Sequence, residues 1–389
     1  LLTTTSVAPV DDGVLRLGIL LPSGGAGAEL GQALSDGIAL ALTEINTSGG
    51  VNGEPVRRIV RSEGDDIIAA TSAMQALVDA GVDAIVGPAS SNNTLAALGT
   101  AVAAGRVTCS PTASAMALDA YPDNGLFFRT IPSDSLQAWA IARAADQTGT
   151  SRVTIAYIDD AYGRPFADQV AIAVATLGIA VSAEVPYTRA EASITDAART
   201  VADGAPRSVV VIGDSATGPA MLTAIDLATG DGAVTYVVND AMRRPAATVQ
   251  PFTPEVASRI VGVSPRATTT NSAFLDALLA LNPRTSGLYA ANAYNCVNLI
   301  ALAATMSGST LPQTIARTIP TVSVNGSRCT DFPSCAELLR AGRNIDYEGP
   351  NGELTIGSDG ERVAADFDLF GFDDSGRDVT RGQITIFRP

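Results

Sequence analysis

Histidine is missing from this sequence, and all 25 of its basic residues are arginine, so lysine is missing as well. Those two absences remove whole mechanisms. Without an imidazole there is no Ser-His-Asp or Cys-His activation of a nucleophile and no His-ligated zinc or haem. Without an ε-amine there is no Schiff base, no pyridoxal phosphate anchor and no Walker-type phosphate lysine. An enzyme built from this chain would run on carboxylates, Tyr or Cys, as glycosidases do with paired acids. That class wants aromatic platforms beside its acids, yet aromatics are 5% of the chain and Trp139 is the single tryptophan. A carboxylate-dependent glycosidase is therefore only a remote alternative, and no catalytic residue, metal or cofactor is expected. Positive charge is scarce too. A net charge of −15 at pH 7 and a pI of about 4.4 offer nothing in the bulk field to draw in a phosphate backbone, so nucleic acid is not an expected partner.

Long apolar runs are also lacking. The longest, 288–306, carries Asn292, Asn295 and Asn298 at three-residue spacing, which suits one face of a soluble helix better than lipid. Residues 1–10 are small and Thr-rich without a charged n-region or a long apolar core, so they read as a mature or trimmed tail rather than an intact signal peptide. Cysteines number four. Cys329 and Cys335 bracket a short TDFPS loop that a disulfide would close, and a ring that small is worth roughly 2 kcal/mol in the chain-entropy picture. Cys109 and Cys296 would then pair by elimination; the alternative is four free thiols in a cytosolic protein. Their spacing is not that of a zinc site.

What is present is ordinary globular composition: 46% hydrophobic and 17% charged, with 36 Gly and 21 Pro in 389 residues. That length exceeds one compact core and predicts two domains of roughly 150–200 residues. From residue 14 onward, short β-branched or Leu-rich runs alternate with stretches of helical period, the signature of an α/β fold on parallel sheets. Strands are predicted at 14–21, 56–61, 83–87 and 106–109, with helices at 29–46, 67–80 and 91–104. After 127–130 the alternation restarts. Strands near 153–158, 179–186, 208–212 and 234–238 are separated by helices near 162–176, 194–203 and 216–229. Two doubly wound lobes with a ligand cleft between them are expected.

Open parallel sheets bind ligands beyond the carboxyl ends of their strands, where helix starts present unpaired N–H groups. The strand-to-helix junctions are PSGGAG (22–27), GPASSN (87–92), CSPTASA (109–115), DDAYG (159–163), GDSATG (213–218) and NDAMRR (239–244). Gly25, Gly27 and Gly31 give G-x-G-x-x-x-G, one residue too long for a dinucleotide fingerprint, so turn geometry is the favoured reading there. Ser90, Ser91, Ser110, Thr112 and Ser114 gather hydroxyls at two successive junctions of the first lobe. Hydroxyls with N–H groups are what a ligand carboxylate needs where lysine is absent, although any one of them would equally serve as a helix cap. Asp214 and Asp240 sit at strand ends of the second lobe, where an acid would receive an α-ammonium group, although each alone would more often be a solvated or capping acid. Tyr162 follows a strand and precedes Gly163, an exposed place from which its ring would cover a ligand, with peripheral core packing as the alternative.

The stretch LRLGILLPSGGAGAELGQALSDGIALALTEINTSGGVNGEPV, then DAIVGPASSNNT and CSPTASA, together resemble the branched-chain amino acid type of ABC-importer substrate-binding protein. FFRTIPSDSLQAWAIA and IDDAYGRPFADQV extend the likeness into the second lobe, so that it covers about residues 14–250 well. The resemblance implies a type I periplasmic-binding-protein architecture with three crossings between lobes, one made of 13–131 with 260–342 and the other of 132–259 with 343–389. It implies that Ser90, Ser91, Thr112 and Ser114 meet a ligand α-carboxylate and that Tyr162 covers the ligand. Asp240 of VVNDA aligns best with the acid that pairs with the α-ammonium, a Glu to Asp change, with Asp214 the fallback. A second aromatic often found near GDS is absent, which leaves the ligand's side chain open.

The implied function is an extracytoplasmic solute-binding protein, a monomer, that closes on a small amino acid-like ligand and delivers it to an ABC permease. A lipid-anchored full-length form fits the same reading. The alternatives are the same fold binding an aromatic or aliphatic carboxylate without an amine, and a ligand-sensing ectodomain.

Overall fold

The computed structural model describes residues 8–214, 217–230, 234–243, 252–266 and 271–388. Most of the tail, residues 1–7, lies outside them, as do Ser215 and Ala216 of the GDSATG junction and Arg244 of NDAMRR. The chain opens with β1 (Arg16–Leu21), α1 (Ala28–Thr47), β2 (Arg57–Ser62), α2 (Ile67–Asp79), β3 (Ala84–Val86), α3 (Ser91–Ala103), β4 (Val107–Ser110) and β5 (Phe127–Arg129). It continues with α4 (Asp134–Gln147), β6 (Arg152–Ile158), α5 (Gly163–Thr176), β7 (Ala180–Tyr187), α6 (Glu191–Asp203), β8 (Ser208–Ile212), α7 (Gly218–Thr229), β9 (Thr235–Val238), α8 (Pro254–Ala257) and β10 (Ile260–Pro265). Then come α9 (Ser272–Leu281), α10 (Ala290–Ser307), α11 (Pro312–Val322), β11 (Ser327–Cys329), α12 (Phe332–Arg340), β12 (Ile345–Tyr347), β13 (Ala364–Phe372) and β14 (Asp378–Phe387).

Contacts divide the chain into two compact units, Leu1–Pro132 with Ala267–Ala364 and Ser133–Arg266 with Ala365–Pro389, so the polypeptide passes between units three times. The boundaries differ from those expected. Residues 260–266 fall in the second unit because β10 pairs with β9 and β13 of its sheet. Residues 343–364 fall in the first, where β12 pairs with β11.

In the first unit five parallel strands run β2-β1-β3-β4-β5. Alternation along β1 sends Leu17, Ile19 and Leu21 to the face covered by α1 and α10, and Leu20 to the face covered by α2 and α3. Each fully buried Leu or Ile contributes roughly 1.5–3 kcal/mol. Gly31 explains the glycine pattern at 25–31: a Cβ there would stand 1.8 Å from the Pro22 carbonyl, so the glycine permits close packing of helix on loop. Helix α10 is buried on nearly every side, and its Asn292, Asn295 and Asn298 face inward rather than to water. Their amides bond to Pro111 O (3.1 Å), Asn351 Oδ1 (2.8 Å) and the Tyr347 hydroxyl (3.1 Å), which makes the burial affordable in energy.

The second unit holds a seven-stranded sheet, β14-β13-β10-β9-β8-β6-β7. Its core is parallel, but β13 runs antiparallel to β10, so this lobe is mixed where an all-parallel sheet was expected. Val153, Ile155 and Tyr157 of β6 face α4 and α5, while Ala156 and Ile158 face α6 and α7. Both cysteine pairs are bonded. Cys109–Cys296 joins β4 to α10, and Cys329–Cys335 closes the local loop, so the free-thiol alternative falls away.

Candidate functional site

The first unit's site is built on the ends of β3 and β4. Gly87, after β3, has φ +105, and a Cβ on it would lie 1.9 Å from Leu20 O, so only glycine lets the chain turn there. Behind the turn sits Glu63, buried at the end of β2. Its carboxylate accepts from the N–H groups of Ala89 (2.6 Å) and Ser90 (3.3 Å) and from the Asn93 amide (3.3 Å). Burial pushes the Glu63 carboxyl above its usual range, against the lowering effect of those bonds. Ser90 caps α3, its Oγ accepting from Asn93 N–H at 3.4 Å. Because Ala89, Ser90, Asn93 and Thr94 N–H groups are taken up locally, the amides of Ser91 and Asn92 are what the helix start directs outward.

The five hydroxyls divide by where their protons go. Ser110, fully buried, donates to Pro88 O (2.6 Å) and accepts from Ala113 N–H (3.0 Å), so it staples the two loops and is not presented as a ligand group. Thr112 donates to Ala89 O at 2.9 Å. Ser91 instead accepts, from Ala115 N–H at 3.2 Å, which leaves its proton to donate. Ser90 Oγ likewise acts as acceptor, and neither these two nor Ser114 donates a hydroxyl proton to an acceptor among the described residues. Arg129 fixes the second loop from below. Fully buried, it bonds Ala113 O (3.3 Å) and Ala115 O (3.1 Å), and it pairs with Glu361 at 2.7 Å and with Asp119. Asn292 on Pro111 O and the Cys109–Cys296 bridge complete the brace.

In the second unit Asn239, fully buried between β8 and β9, receives Gly213 N–H (3.2 Å) and donates to Gly213 O (3.0 Å) and to the Tyr162 hydroxyl (2.9 Å). Tyr162 is half-buried, edge-on to Phe166 at 5.9 Å, and its N–H is held by Asp160. Next in chain, Asp240 accepts at Oδ1 from Gln137 Nε2 (2.9 Å), which also donates to Val263 O (3.0 Å) and so fixes the carboxylate's orientation. Asp214 is differently placed. It accepts from Thr217 N–H (2.7 Å) and Oγ1 (2.8 Å) and pairs with Arg189 at 2.9 Å. Burial alone would raise its pKa, but those bonds outweigh it and hold the carboxyl below its usual value. An acid already paired with Arg189 and holding Thr217 is a poor ammonium receptor, so the fallback role expected for Asp214 is not favoured by its surroundings.

Sequence reasoning missed Glu63, Gln137, Asn239 and Arg129. Glu63 stands at a strand end and was findable as such; Gln137 lies in α4, a helix not anticipated.

Two open α/β units, the first with hydroxyl-rich loops at the carboxyl ends of its strands, define the class of fold to which this chain belongs. Residues 14–377 match the periplasmic binding protein family, and the chain belongs to it. It is 30% identical, over 88% of this chain and 83% of the relative, to the chemotactic signal transduction system substrate-binding protein BasB of Halobacterium salinarum. The fold matches an ABC transporter substrate-binding protein of Desulfitobacterium hafniense, solved with Leu, at a TM-score of 0.75 and 22% identity, covering 94% of this chain and 99% of that one. It also matches a solute-binding protein of R. palustris, solved with 4-hydroxybenzoate, at 0.76 and 17% identity, covering 96% and 97%. The family's proteins work outside the cytoplasm and bind small molecules. Among the described residues no helix is long and apolar enough to cross a membrane.

Proposed function

We propose that this protein binds a small amino acid without chemistry and delivers it, as a monomer, to an ABC permease. The observation that carries the reading is the set of hydroxyl protons on Ser90, Ser91 and Ser114, uncommitted to any described acceptor, beside the outward amides of Ser91 and Asn92. A ligand carboxylate accepts from such donors and gains from the helix start. Asp240, oriented by Gln137, receives the α-ammonium, and Tyr162, held by Asn239, covers the ligand. Ser110 and Thr112 shape the loops. A structure solved with Leu supports an amino acid; one solved with 4-hydroxybenzoate supports the rival, a carboxylate without an amine.

Asp240→Asn keeps the size and the acceptor oxygen for Gln137 but loses the charge. Calorimetry with a panel of amino acids should show binding weakened at least tenfold, with the thermal midpoint of the unliganded protein within a degree or two of wild type. Unchanged affinity would remove Asp240 from the site. The BasB relative favours a second reading, in which the loaded protein reports to a chemotaxis receptor. Deleting the gene separates the two: loss of uptake supports the permease, whereas loss of chemotaxis with normal uptake supports the receptor.

A further inference from the structure

Strand β2 is the outer edge of the first unit's sheet, pairing with β1 alone in continuous parallel register from Arg57 to Ser62. Arg57 N–H donates to Leu15 O and Glu63 N–H to Leu21 O, so the odd-numbered residues turn toward β1. Arg58, Val60 and Ser62 therefore turn their backbone groups outward. Edges are commonly blunted by proline, bulges or charge. The edge strand β7 of the other sheet has both of the first two, Pro186 and a register shift opposite Val153 and Thr154. β2 has neither.

Its charge is of one sign. Arg57, Arg58 and Arg61 are exposed, and none makes an ion pair among the described residues, in a chain whose net charge is −15. Arg61 donates to Val60 O at 2.8 Å, which sets its guanidinium at the open edge. Val60 on the strand is 55% exposed, and Ile67 and Ile68 at the start of α2 are 52% and 76% exposed.

We propose that β2 is a docking edge for an extended acidic segment of a partner protein, which adds as a further strand. Its backbone meets the outward groups at 58, 60 and 62, its carboxylates meet Arg57 and Arg61 on one face, and its apolar residues cover Val60 on the other face, which Arg58 shares. A second copy of this chain does not fit, because pairing β2 with itself sets arginine against arginine. A lipid surface has no backbone to offer the edge.

The test is fluorescence anisotropy with the full chain and a labelled peptide of alternating glutamate and valine. The expected result is saturable binding that the lysine–valine counterpart lacks. It should also be lost when alternate peptide amides are N-methylated, and weaken at least tenfold in the Arg57→Glu, Arg58→Glu, Arg61→Glu variant. All three side chains are exposed, so that variant should keep wild-type ligand affinity. Equal binding of both peptides, indifference to N-methylation or to the triple change, or equal binding to phosphatidylglycerol vesicles would overturn the proposal.

Discussion

Hydroxyl direction decides which serines can serve a ligand. Ser90, Ser91, Ser110, Thr112 and Ser114 look alike in sequence, since each follows a strand and carries an oxygen. Their roles separate only when partners distant in sequence are known: Pro88 O takes the Ser110 proton and Ala89 O that of Thr112. The same holds for the acids. Asp214 and Asp240 were both legible as strand-end carboxylates, but Arg189 on Asp214 was not, because a pairing across 25 residues leaves no local pattern. A further acid, Asp83, is buried and, among the described residues, accepts only from Arg16 N–H, at 2.8 Å. Burial pushes its carboxyl from 3.8 up to about 6, with Arg16 and Arg106 opposing the shift. The folded state thus holds its proton more tightly than the unfolded chain does. Stability from this group is greatest below pH 4 and is lost as pH rises toward 6, by about 3 kcal/mol at most. Asp83→Asn removes that loss while keeping an acceptor for Arg16. Urea unfolding should show the variant gaining on wild type between pH 4.5 and 7.5, and an equal gap at both values would rule the group out as the source.

Elements were read better than their partners. The strands and helices of 14–110 and 153–238 lie within a few residues of expectation because period and turn chemistry are local signals. Helix α4 escaped notice: its Ala-rich surface is buried on most sides, so it lacks a sharp amphipathic stripe. The Asn292, Asn295 and Asn298 row had the right helix but the wrong environment, since an inward polar face requires partners such as Tyr347 and Asn351 that sequence does not announce. The disulfides tie elements at very different spans, 187 residues for Cys109–Cys296 and 6 for Cys329–Cys335. Chain entropy makes the first worth about 5 kcal/mol and the second about 2 kcal/mol. Removing Cys109 and Cys296 together, each to Ser, should cost roughly twice what removing the other pair costs in urea unfolding. Because the long bridge also anchors the CSPTASA loop, its loss should weaken ligand binding, whereas loss of the local bridge should leave affinity unchanged.

For the whole molecule, the two-unit organisation with three crossings followed from the family likeness, but two of the crossing points lie elsewhere than expected. They are set by strand pairing late in the chain, where β10 and β12 each join the unit opposite to the one the resemblance implied. Charge acts at this scale as well. Forty acids against 25 arginines leave a net −15, and much of the arginine is spent in local or buried pairs such as Arg129–Glu361 and Arg243–Asp368. Self-repulsion of the exposed remainder is long-range and is screened when the Debye length falls from about 10 Å at 0.1 M to 3 Å at 1 M salt. The thermal midpoint should therefore rise between 0.1 and 1 M sodium chloride; a fall would mean that exposed ion pairs outweigh repulsion.

The proposed site requires recognition of both the carboxylate and the ammonium group of its ligand. Titrating the wild-type protein by calorimetry with L-leucine and with 4-methylpentanoate, the same skeleton without the amine, isolates the second contact. Leucine should bind at least a hundredfold tighter, a gap of about 2.7 kcal/mol that collapses in Asp240→Asn. Equal or tighter binding of the deaminated acid would contradict it and turn the site into one for simple carboxylates.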